Sequence, residues 1–571
     1  MPASVNHASS CRTLVISDEG AKKVLRSVTL KFTEHDPITL DARGITIFVG
    51  PNNSGKSLAL RELHALFENQ ELPASLQLLS GYDLAWPSEG EIDALLDRLA
   101  ALVVQPNNLA SGHVAIGSYQ PSLGHVQVVV DRNTVQRLAR EREKGWFTHN
   151  ILRWGALRLD GRSRFALSND QQMGDLLSAP TNALSLLFGN DAIRKNVQHA
   201  LLEAFGKYFV LDPTFGGTLR IRLADTPPVD EQSLAKAARD YFAKAQYIKD
   251  ASDGVQAYTG IITAVMSGEF HTFLVDEPEA FLHPPLARKL GKQLASLTAK
   301  SERSLFAATH SPDFLMGCLQ VSQNVRVVRM AYANGKSKAR VVNSEELAAF
   351  LQRPLMRSAN VVSGLFHDGV VVTESDNDRA FYAEIYHRLS QDDPSLPSLL
   401  FVNAQNKQTQ TEIIGPLRRF GVPTVGIVDI DVLKEGGTVW SAWLNASNVP
   451  KATHEAMHRM RGSIFSLFEG KDMKRDGGVS LLSPQDADAA NDLFDSMARV
   501  GVFVVRQGEV EDWLKHHGVS GRKAAWALAM LERLGSDPAA EGYVRPGKDD
   551  VWEFMRQVAN WVRDPARKGF D

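Results

Sequence analysis

The order of apolar and polar positions divides the chain into two α/β halves. Residues 23–68 have the pattern of β-strands followed by a helix, and residues 245–330 return to a strand, helix and strand order. The stretch between them, from about residue 70 to 240, is predicted to be mostly helical with short alternating pieces. Beyond residue 354, buried apolar runs alternate with amphipathic helices, a pattern typical of a second parallel sheet.

These patterns predict two domains, residues 1–350 and residues 360–571, because a chain of 571 residues exceeds what one hydrophobic core usually holds. The first domain is expected to carry a helical insertion at about 70–240, and the second a helical insertion at about 434–500. No repeat of fixed period and no long low-complexity linker separates the halves, so we expect them to pack against each other.

Composition narrows the class of protein. Hydrophobic residues make up 44% of the chain and charged residues 23%, as in soluble globular proteins. No apolar run approaches the length of a membrane span, and the first residues lack a signal-peptide pattern, so we expect a cytoplasmic protein without a membrane partner. Two cysteines, Cys11 and Cys318, indicate neither a disulfide framework nor a thiolate zinc site. A net charge of −3 does not exclude a nucleic-acid partner, because the net charge of the whole chain does not reveal a local basic groove.

A glycine-rich loop lies between an apolar strand, Gly44 to Val49, and a helix with an apolar face. Its residues are Gly50, Pro51, Asn52, Asn53, Ser54, Gly55, Lys56 and Ser57. This spacing is that of a phosphate-binding loop, in which backbone N–H groups point at phosphate oxygens. Lys56 would meet the β and γ phosphates of ATP, and Ser57 would offer a hydroxyl to Mg²⁺. An accidental glycine turn is disfavoured, since both flanking elements are in place.

A pair of carboxylates completes the predicted nucleotide site. Asp276 and Glu277 end the apolar strand that begins at Phe273. Asp276 would hold Mg²⁺ through water, and Glu277 would act as general base on the attacking water. Two acids at a strand end can instead be simply solvated. That interpretation weakens because His310 directly follows the next apolar strand.

Together these motifs resemble ABC-type ATPase heads of the group that contains the SMC-like proteins and the overcoming-lysogenization-defect (OLD) family. His310 matches the switch histidine, which meets the γ-phosphate in that class. Ser252 and Gly254 resemble the signature loop, although Leu-Ser-Gly-Gly-Gln itself is absent. The resemblance implies a homodimer through the heads, or a higher oligomer, with ATP between the phosphate loop of one subunit and the signature loop of the other. The glutamine of the Q-loop is not identifiable.

A second set of acids follows the strands of the C-terminal half. Carboxyl ends of parallel strands share one edge, so these side chains would converge there. Clustered carboxylates bind hard cations such as Mg²⁺ or Mn²⁺, and two such ions can clamp a phosphodiester. The predicted ligands are Glu374, Asp378, Asp429, Asp431, Glu509 and Glu511, with Lys407 following the second of the four strands.

The order Glu-x-x-x-Asp, then Asp-x-Asp, resembles the Toprim fold of topoisomerases, primases and OLD nucleases, and Glu511 to Leu514 resemble the last acidic motif of OLD proteins. The resemblance implies a nuclease in which Glu374 is catalytic, acting on DNA or RNA under nucleotide control. It also implies a role in prokaryotic or phage-related defence, with a protein partner from such a system. Ser375 stands where the family usually has glycine.

Several of these residues have plainer interpretations. Acids at strand ends are often solvated, and Asp376 and Asp378 would cap a helix in any case. Lys407 and Lys434 would stabilise charge on a scissile phosphate, or they are surface lysines.

The segment His454 to His458 matches the zinc-protease pattern H-E-x-x-H, but no third ligand follows at a familiar spacing. The same region is rich in basic residues, which form either a nucleic-acid surface or a solvated helical insert. These residues are Lys451, Arg459, Arg461, Lys471, Lys474 and Arg475.

The sequence thus predicts an ABC-like ATPase domain followed by a Toprim-like nuclease domain. An alternative is a sensor or scaffold ATPase whose second domain binds a protein partner without cutting, and Ser375 favours it. A DNA-repair ATPase of the SMC-like sort would need long heptad repeats after the phosphate loop, where this chain has glycines and prolines.

Overall fold

A computed structural model describes residues 24–570 with short gaps, so Cys11 lies outside the described residues. The gaps are residues 121–123, 162, 179, 229, 268, 269, 301, 302, 323, 343, 352, 354, 355, 357, 358 and 549. No helix within the described ranges is both long enough and apolar enough to cross a membrane.

The strands follow the short apolar runs of the sequence. In chain order they are β1 (Leu25–Leu30), β2 (Ile38–Asp41), β3 (Gly44–Val49), β4 (Leu79–Leu84), β5 (His113–Gln120), β6 (Gly124–Asp131), β7 (Ala156–Leu159), β8 (Gln171–Gln172), β9 (Tyr208–Phe215), β10 (Thr218–Ala224), β11 (Gln246–Tyr247), β12 (Thr272–Asp276), β13 (Ser304–Ala308), β14 (Val325–Ala333), β15 (Lys336–Val342), β16 (Gly369–Thr373), β17 (Leu399–Asn403), β18 (Thr424–Asp429) and β19 (Val502–Val505).

The α-helices cover the sheets and form the insertions. In chain order they are α1 (Lys56–Glu68), α2 (Glu89–Ala101), α3 (Arg132–Arg140), α4 (Lys144–Asn150), α5 (Ser163–Ala166), α6 (Ala183–Gly189), α7 (Asp191–Phe205), α8 (Lys236–Lys244), α9 (Asp253–Ser267), α10 (Pro284–Lys300), α11 (Pro312–Leu319), α12 (Ser344–Leu351), α13 (Ala359–Ser363), α14 (Asp376–Asp392), α15 (Lys407–Arg419), α16 (Gly437–Ala446), α17 (Lys451–Ser466), α18 (Pro484–Arg499), α19 (Lys523–Leu534) and α20 (Asp550–Arg563).

The first half is built on a six-stranded sheet in the order β15-β14-β3-β13-β12-β7. Strands β14, β3, β13, β12 and β7 are parallel, and β15 joins β14 antiparallel. Strand β13 is buried along its whole length, as expected for a parallel strand covered on both faces. This order brings the ends of β3, β13 and β12 to one edge, where the phosphate loop, His310 and Asp276 lie.

The segment from residue 70 to 240 corrects the expectation of a mostly helical insertion. It contains strands β4 to β10 as well as helices. Strand β4 completes an antiparallel sheet with β1 and β2, β5 and β6 form a hairpin, and β9 and β10 pair antiparallel. Strand β7 even enters the central sheet beside β12. Its partner lies more than a hundred residues further along the chain, so local pattern could not reveal the pairing.

The second half has a four-stranded sheet in the order β17-β16-β18-β19, and all its pairings are parallel. Helices α16, α17 and α18 lie between β18 and β19, within the region where the sequence predicts a helical insertion. The carboxyl ends of the four strands share one edge, which places the acids that follow them side by side.

The two halves share a continuous hydrophobic core that runs from Ile47 of β3 to Val428 of β18. At the junction the rings of Phe350 and Phe420 meet edge to face, with centroids 5.2 Å apart. Arg329 of β14 is buried there. Its guanidinium donates to the carbonyl of Gly421 at 2.6 Å and to the carbonyl of His367 at 2.8 Å.

Candidate functional sites: a nucleotide site and a carboxylate cluster

The phosphate loop has the backbone conformation that its glycines predict. Gly50 has a φ of 144°, and a Cβ atom there would lie 2.1 Å from the carbonyl oxygen of Met330. Gly55 has a φ of 94° in the left-handed region and directly precedes α1. A side chain at either position would therefore be strained, and at Gly50 it would also clash with β14.

Lys56 lies folded over the loop it belongs to. Its ammonium donates to the carbonyls of Gly50 at 3.0 Å and Pro51 at 2.7 Å, and to the hydroxyl of Ser54 at 3.3 Å. Burial lowers the pKa of Lys56 to about 8, although the charges of Glu277 and Asp276 oppose that shift. The lysine is thus held among acceptors at the point where phosphate oxygens would take their place.

The two predicted magnesium ligands of this site are in contact. The hydroxyl of Ser57 donates to Oδ1 of Asp276 at 3.0 Å. Burial raises the pKa of Asp276. A hydroxyl and a carboxylate at one point, beside a loop for phosphates, fit a Mg²⁺ ion bound together with a nucleotide.

Glu277 has a left-handed backbone with a φ of 47°, which is uncommon for a residue other than glycine. Its N–H donates to the carbonyl of Ala308 at 2.8 Å, at the end of the neighbouring strand. His310 follows that strand, and burial and the charge of Lys56 lower its pKa. Glu279 fixes the turn before His310, because its carboxylate accepts from the hydroxyl of Thr309 at 2.8 Å and from the N–H of His310 at 2.6 Å.

Arg164 is a site residue that the sequence did not reveal. Its side chain is 0% exposed. Its guanidinium donates to the carbonyls of Asp276 at 2.8 Å, Glu277 at 2.9 Å and Ala280 at 3.3 Å. Arg164 therefore fixes the backbone that carries Glu277, the predicted general base. No local motif marks it, since α5 has four residues and reaches Glu277 only through the tertiary fold.

Ser252 and Gly254, the predicted signature residues, lie where α9 begins. Ser252 is exposed, and a Cβ atom at Gly254 would lie 2.6 Å from the carbonyl oxygen of Phe281 in the loop after Glu277. Gly254 thus permits a close approach of α9 to that loop. A contact of these residues with ATP in a second subunit stays a prediction.

In the second half, Glu374, Asp429 and Asp431 form a group of carboxylates whose oxygens lie within 4.8 Å of one another. Glu374 directly follows β16, Asp429 is the last residue of β18 and Asp431 lies just beyond it, so the group forms at the ends of the two central strands. Lys407, at the start of α15, pairs with Asp431, and its ammonium lies 3.9 Å from Glu374. This donor set of oxygens fits a hard divalent cation such as Mg²⁺ or Mn²⁺.

Lys474 enters the same group from the helical insert between α17 and α18. Its ammonium lies 2.6 Å from Oδ2 of Asp429, 3.9 Å from Asp431 and 3.8 Å from Oε2 of Glu509. The sequence placed Lys474 in a basic surface beside the site but not among the carboxylates. The close approach of the insert backbone to Gly508, just after β19, places Lys474 there.

The predicted acids of the second half lie close enough to repel one another, and this repulsion adds to burial in raising the pKa values of three of them. Burial and the charge of Asp429 raise the pKa of Glu374 to about 8 and that of Asp378 to about 6. Burial and the charge of Glu511 raise the pKa of Glu509 to about 7. Glu511 also accepts a hydrogen bond from the N–H of Lys523 at 2.7 Å. All six predicted acids thus lie at one edge of the sheet, with Glu374, Asp429 and Asp431 closest together.

The backbone at Ser375 has a conformation that does not require glycine. Its backbone is extended, with a φ of −128°, and its side chain caps α14 by accepting from the N–H of Asp378 at 3.3 Å. Asp378 in return accepts from the N–H of Ser375 at 3.0 Å. The departure from glycine therefore leaves the strand end undisturbed.

The two histidines of the H-E-x-x-H pattern lie on α17 and hydrogen-bond to nearby groups outside that helix. His454 bonds to the carbonyl of Val449 at 2.9 Å, and His458 bonds to the hydroxyl of Ser441 at 3.2 Å. Among the described residues, the metal-competent group of three ligands is the one around Glu374. Lys434 is exposed, in contrast to Lys407.

A family model described as "AAA domain, putative AbiEii toxin, Type IV TA system" matches residues 157–316. The vitamin B12 import ATP-binding protein BtuD of Photobacterium profundum is 42% identical over 97 residues, which are 16% of this chain. The chain spans 37% of the length of that relative. The similarity therefore covers part of each protein.

Solved structures that resemble the chain include two kinds of ATPase head. The SMC head domain from Thermotoga maritima is 12% identical, with 56% of this chain and 99% of that chain covered and a TM-score of 0.28. A dimeric bacterial ABC transporter cassette is 12% identical, with 53% and 93% covered and a TM-score of 0.23.

The family match begins within β7 and includes α9, β12 with Asp276, and the following Glu277. Together with the phosphate loop, it defines the first half as a P-loop ATPase domain of the AAA/ABC type. This class uses ATP, usually with Mg²⁺.

Proposed function

We propose that the protein hydrolyses ATP in its first half and cleaves nucleic acid with a Mg²⁺- or Mn²⁺-dependent site in its second half. The single observation that supports the nuclease is the convergence of Glu374, Asp429 and Asp431 at a parallel-sheet edge beside two lysines. The nucleotide state would gate cleavage. The heads would dimerise around ATP, and the protein would act in the cytoplasm.

In the nucleotide site, each residue has a task that its position supports. Lys56 and the loop N–H groups would bind the β and γ phosphates, and Ser57 with Asp276 would hold Mg²⁺. Glu277 would accept a proton from the attacking water, in a backbone geometry fixed by Ala308 and Arg164. His310 would contact the γ-phosphate from the next strand.

In the carboxylate cluster, Glu374, Asp429 and Asp431 would hold the cation. Three further acids would add negative charge around it, namely Asp378, Glu509 and Glu511. A bound Mg²⁺ or Mn²⁺ would lower the pKa of the attacking water and neutralise charge on the phosphodiester. Lys407 pairs with Asp431 and would supply positive charge next to a scissile phosphate.

A role in defence against phage, with a protein partner from such a system, also belongs to this proposal. Its support is the resemblance to OLD proteins and the toxin–antitoxin description of the matching family model. The alternative of a sensor or scaffold that binds a partner without cutting relied on Ser375. That residue is an ordinary helix cap, so no specific observation favours the alternative.

The ATPase proposal is tested with Glu277→Gln, which keeps the shape of the side chain but removes the base. We expect kcat to fall by about 10²–10⁴-fold while ATP still binds, because proton transfer is lost and the phosphate contacts are not. Steady-state hydrolysis and equilibrium binding of ATP measure the two effects. Hydrolysis at the wild-type rate in this variant would exclude Glu277 as the base.

The nuclease proposal is tested by incubating purified protein with plasmid DNA and with total RNA, in Mg²⁺ or Mn²⁺, with and without ATP. We expect cleavage of one substrate, lost in Glu374→Ala and Asp429→Ala. Asp376→Ala is the matched control, because this exposed acid two residues from Glu374 pairs with Arg379 outside the cluster. Cleavage that survives in both cluster variants would refute the assignment. If no condition gives cleavage while ATP hydrolysis is intact, the partner-binding alternative replaces it.

A further inference from the structure

The carboxylate cluster contains a positive charge that belongs to the chain itself. Lys474 is the residue in question, and it comes from the insert rather than from the sheet. Its ammonium lies within 4 Å of Asp429, Asp431 and Glu509, acids that follow two different strands, β18 and β19. It thus lies between the strand ends, at a place that a divalent ion bridging Asp429 and Glu509 would occupy.

The backbone around Lys474 is built to keep it there. Gly508, just before Glu509, has a φ of 136°, and a Cβ atom there would lie 2.4 Å from the carbonyl oxygen of Lys474. A few residues on, the N–H of Val479 donates to the carbonyl of Arg506 at 2.9 Å. The insert therefore lies against the end of β19 at the lysine itself and again at Val479.

The arrangement of charges around Lys474 is specific. Its side chain is partly buried, with 28% exposed, and three carboxylates face its ammonium. Lys407 neutralises the opposite side of the cluster, next to Asp431 and Glu374.

We propose that Lys474 takes the second cation position of this cluster, so that the cluster binds one divalent ion and the insert supplies the other positive charge. The inference rests on the proposed metal-dependent function and specifies its metal requirement. The single ion would lie among Glu374, Asp429 and Asp431. A carboxylate cluster of this size without an internal lysine would have room for two ions.

The test counts Mn²⁺ ions bound to the full-length protein without nucleotide, by electron paramagnetic resonance of the free ion. Ions at the cluster are those lost when Asp429→Asn is added, because Asp429 belongs to both cation positions. We expect one ion per chain in the wild type and two in Lys474→Gln, since the glutamine amide cannot replace the charge. Lys474→Arg keeps the charge and should restore a count of one.

Lys471→Gln is the matched control, because it removes the same charge from the same insert at an exposed lysine that donates to the carbonyl of Leu481. It should bind one ion. Two ions in the wild type, or one ion in Lys474→Gln, would overturn the assignment of Lys474 while leaving a metal-dependent cluster in place. No ion at the cluster in any variant would overturn the proposed metal-dependent function as well.

Discussion

Glu374, Asp378 and Glu509 show how single carboxyl groups respond to their neighbours. Each is partly withdrawn from water and faces other acids, so the pKa of each is raised, to about 8, about 6 and about 7. Asp376, two residues from Glu374, is exposed and pairs with Arg379, which lowers its pKa. The position of a side chain relative to the sheet edge, rather than its residue type, decides the sign of the shift.

The raised pKa values predict how stability depends on pH. The folded protein holds more protons on these acids than the unfolded chain, in a window from about pH 4 to about pH 8. The contribution of these three acids to the free energy of unfolding of the metal-free protein should therefore fall as pH rises through that window. Mg²⁺ should reverse the loss at the upper end, because the cation neutralises the ionised acids. Melting temperatures at stepped pH, with chelator or with Mg²⁺, measure both effects.

Glu374→Gln separates this effect from general alkaline instability. It should flatten the pH dependence and weaken the response to Mg²⁺, whereas Asp376→Asn should leave both unchanged. If the stability of the metal-free wild type relative to Glu374→Gln rises between about pH 5 and about pH 8, the assignment of the Glu374 shift is wrong.

At the scale of elements, both sites depend on where strands end. Strand β12 presents Asp276 and Glu277 at the edge of the central sheet, and β16 and β18 present the acids of the second site. The end of a strand does not by itself fix the backbone conformation of the residues that follow it. In the nucleotide site Arg164 of α5 removes that freedom by binding the carbonyls of Asp276 and Glu277.

Arg164→Lys should therefore lower kcat of ATP hydrolysis about tenfold or more while ATP affinity changes little. A lysine keeps the charge but cannot donate to all of these carbonyls at once, so the left-handed backbone at Glu277 loses its support. Steady-state kinetics and ATP binding give the two values.

Arg194→Lys is the control for the general effect of replacing a buried arginine. Arg194 also donates to backbone carbonyls in this half, those of Leu187 and Phe188, but it lies on α7 away from Glu277. Equal losses of kcat in the two variants would show that Arg164 has no special role in positioning the base.

At the scale of the whole molecule, the junction of the halves lies next to the phosphate loop. The carbonyl of Met330 faces Gly50, and the adjacent Arg329 donates to the carbonyls of Gly421 and His367 in the second half. Strand β14 thus touches the nucleotide site with one residue and the second half with the next. The proposed control of the second half by nucleotide would act through this short connection.

Arg329→Met should destabilise the protein by about 2–4 kcal/mol, because two buried carbonyls lose their donor. Calorimetry should then show two separate unfolding transitions where the wild type unfolds with more cooperativity. Arg340→Met is the matched control. Arg340 also bonds across the junction, to the carbonyl of Arg419 at 3.1 Å, but it is exposed and water can replace it. Similar losses in both variants would contradict a special role for the buried bond.

The sequence by itself determined the parts of the protein that local chemistry dictates. The phosphate loop needs glycines before Lys56, and β12 needs an apolar run before Asp276, so both are visible in a window of a few residues. The acids Glu374, Asp429 and Asp431 were also predictable, because parallel strands gather their carboxyl ends at one edge. Their meeting follows from the strand order β17-β16-β18-β19.

Only the tertiary structure decided the contacts between residues far apart in the chain. It placed β7 beside β12, it brought the guanidinium of Arg164 to the backbone of Glu277, and it carried Lys474 from the insert into the cluster. It also gave the segment from 70 to 240 its strands, since a strand's partner is chosen by the whole sheet. Hydrophobic periodicity records which face of an element is buried, but it carries no information about which element covers that face.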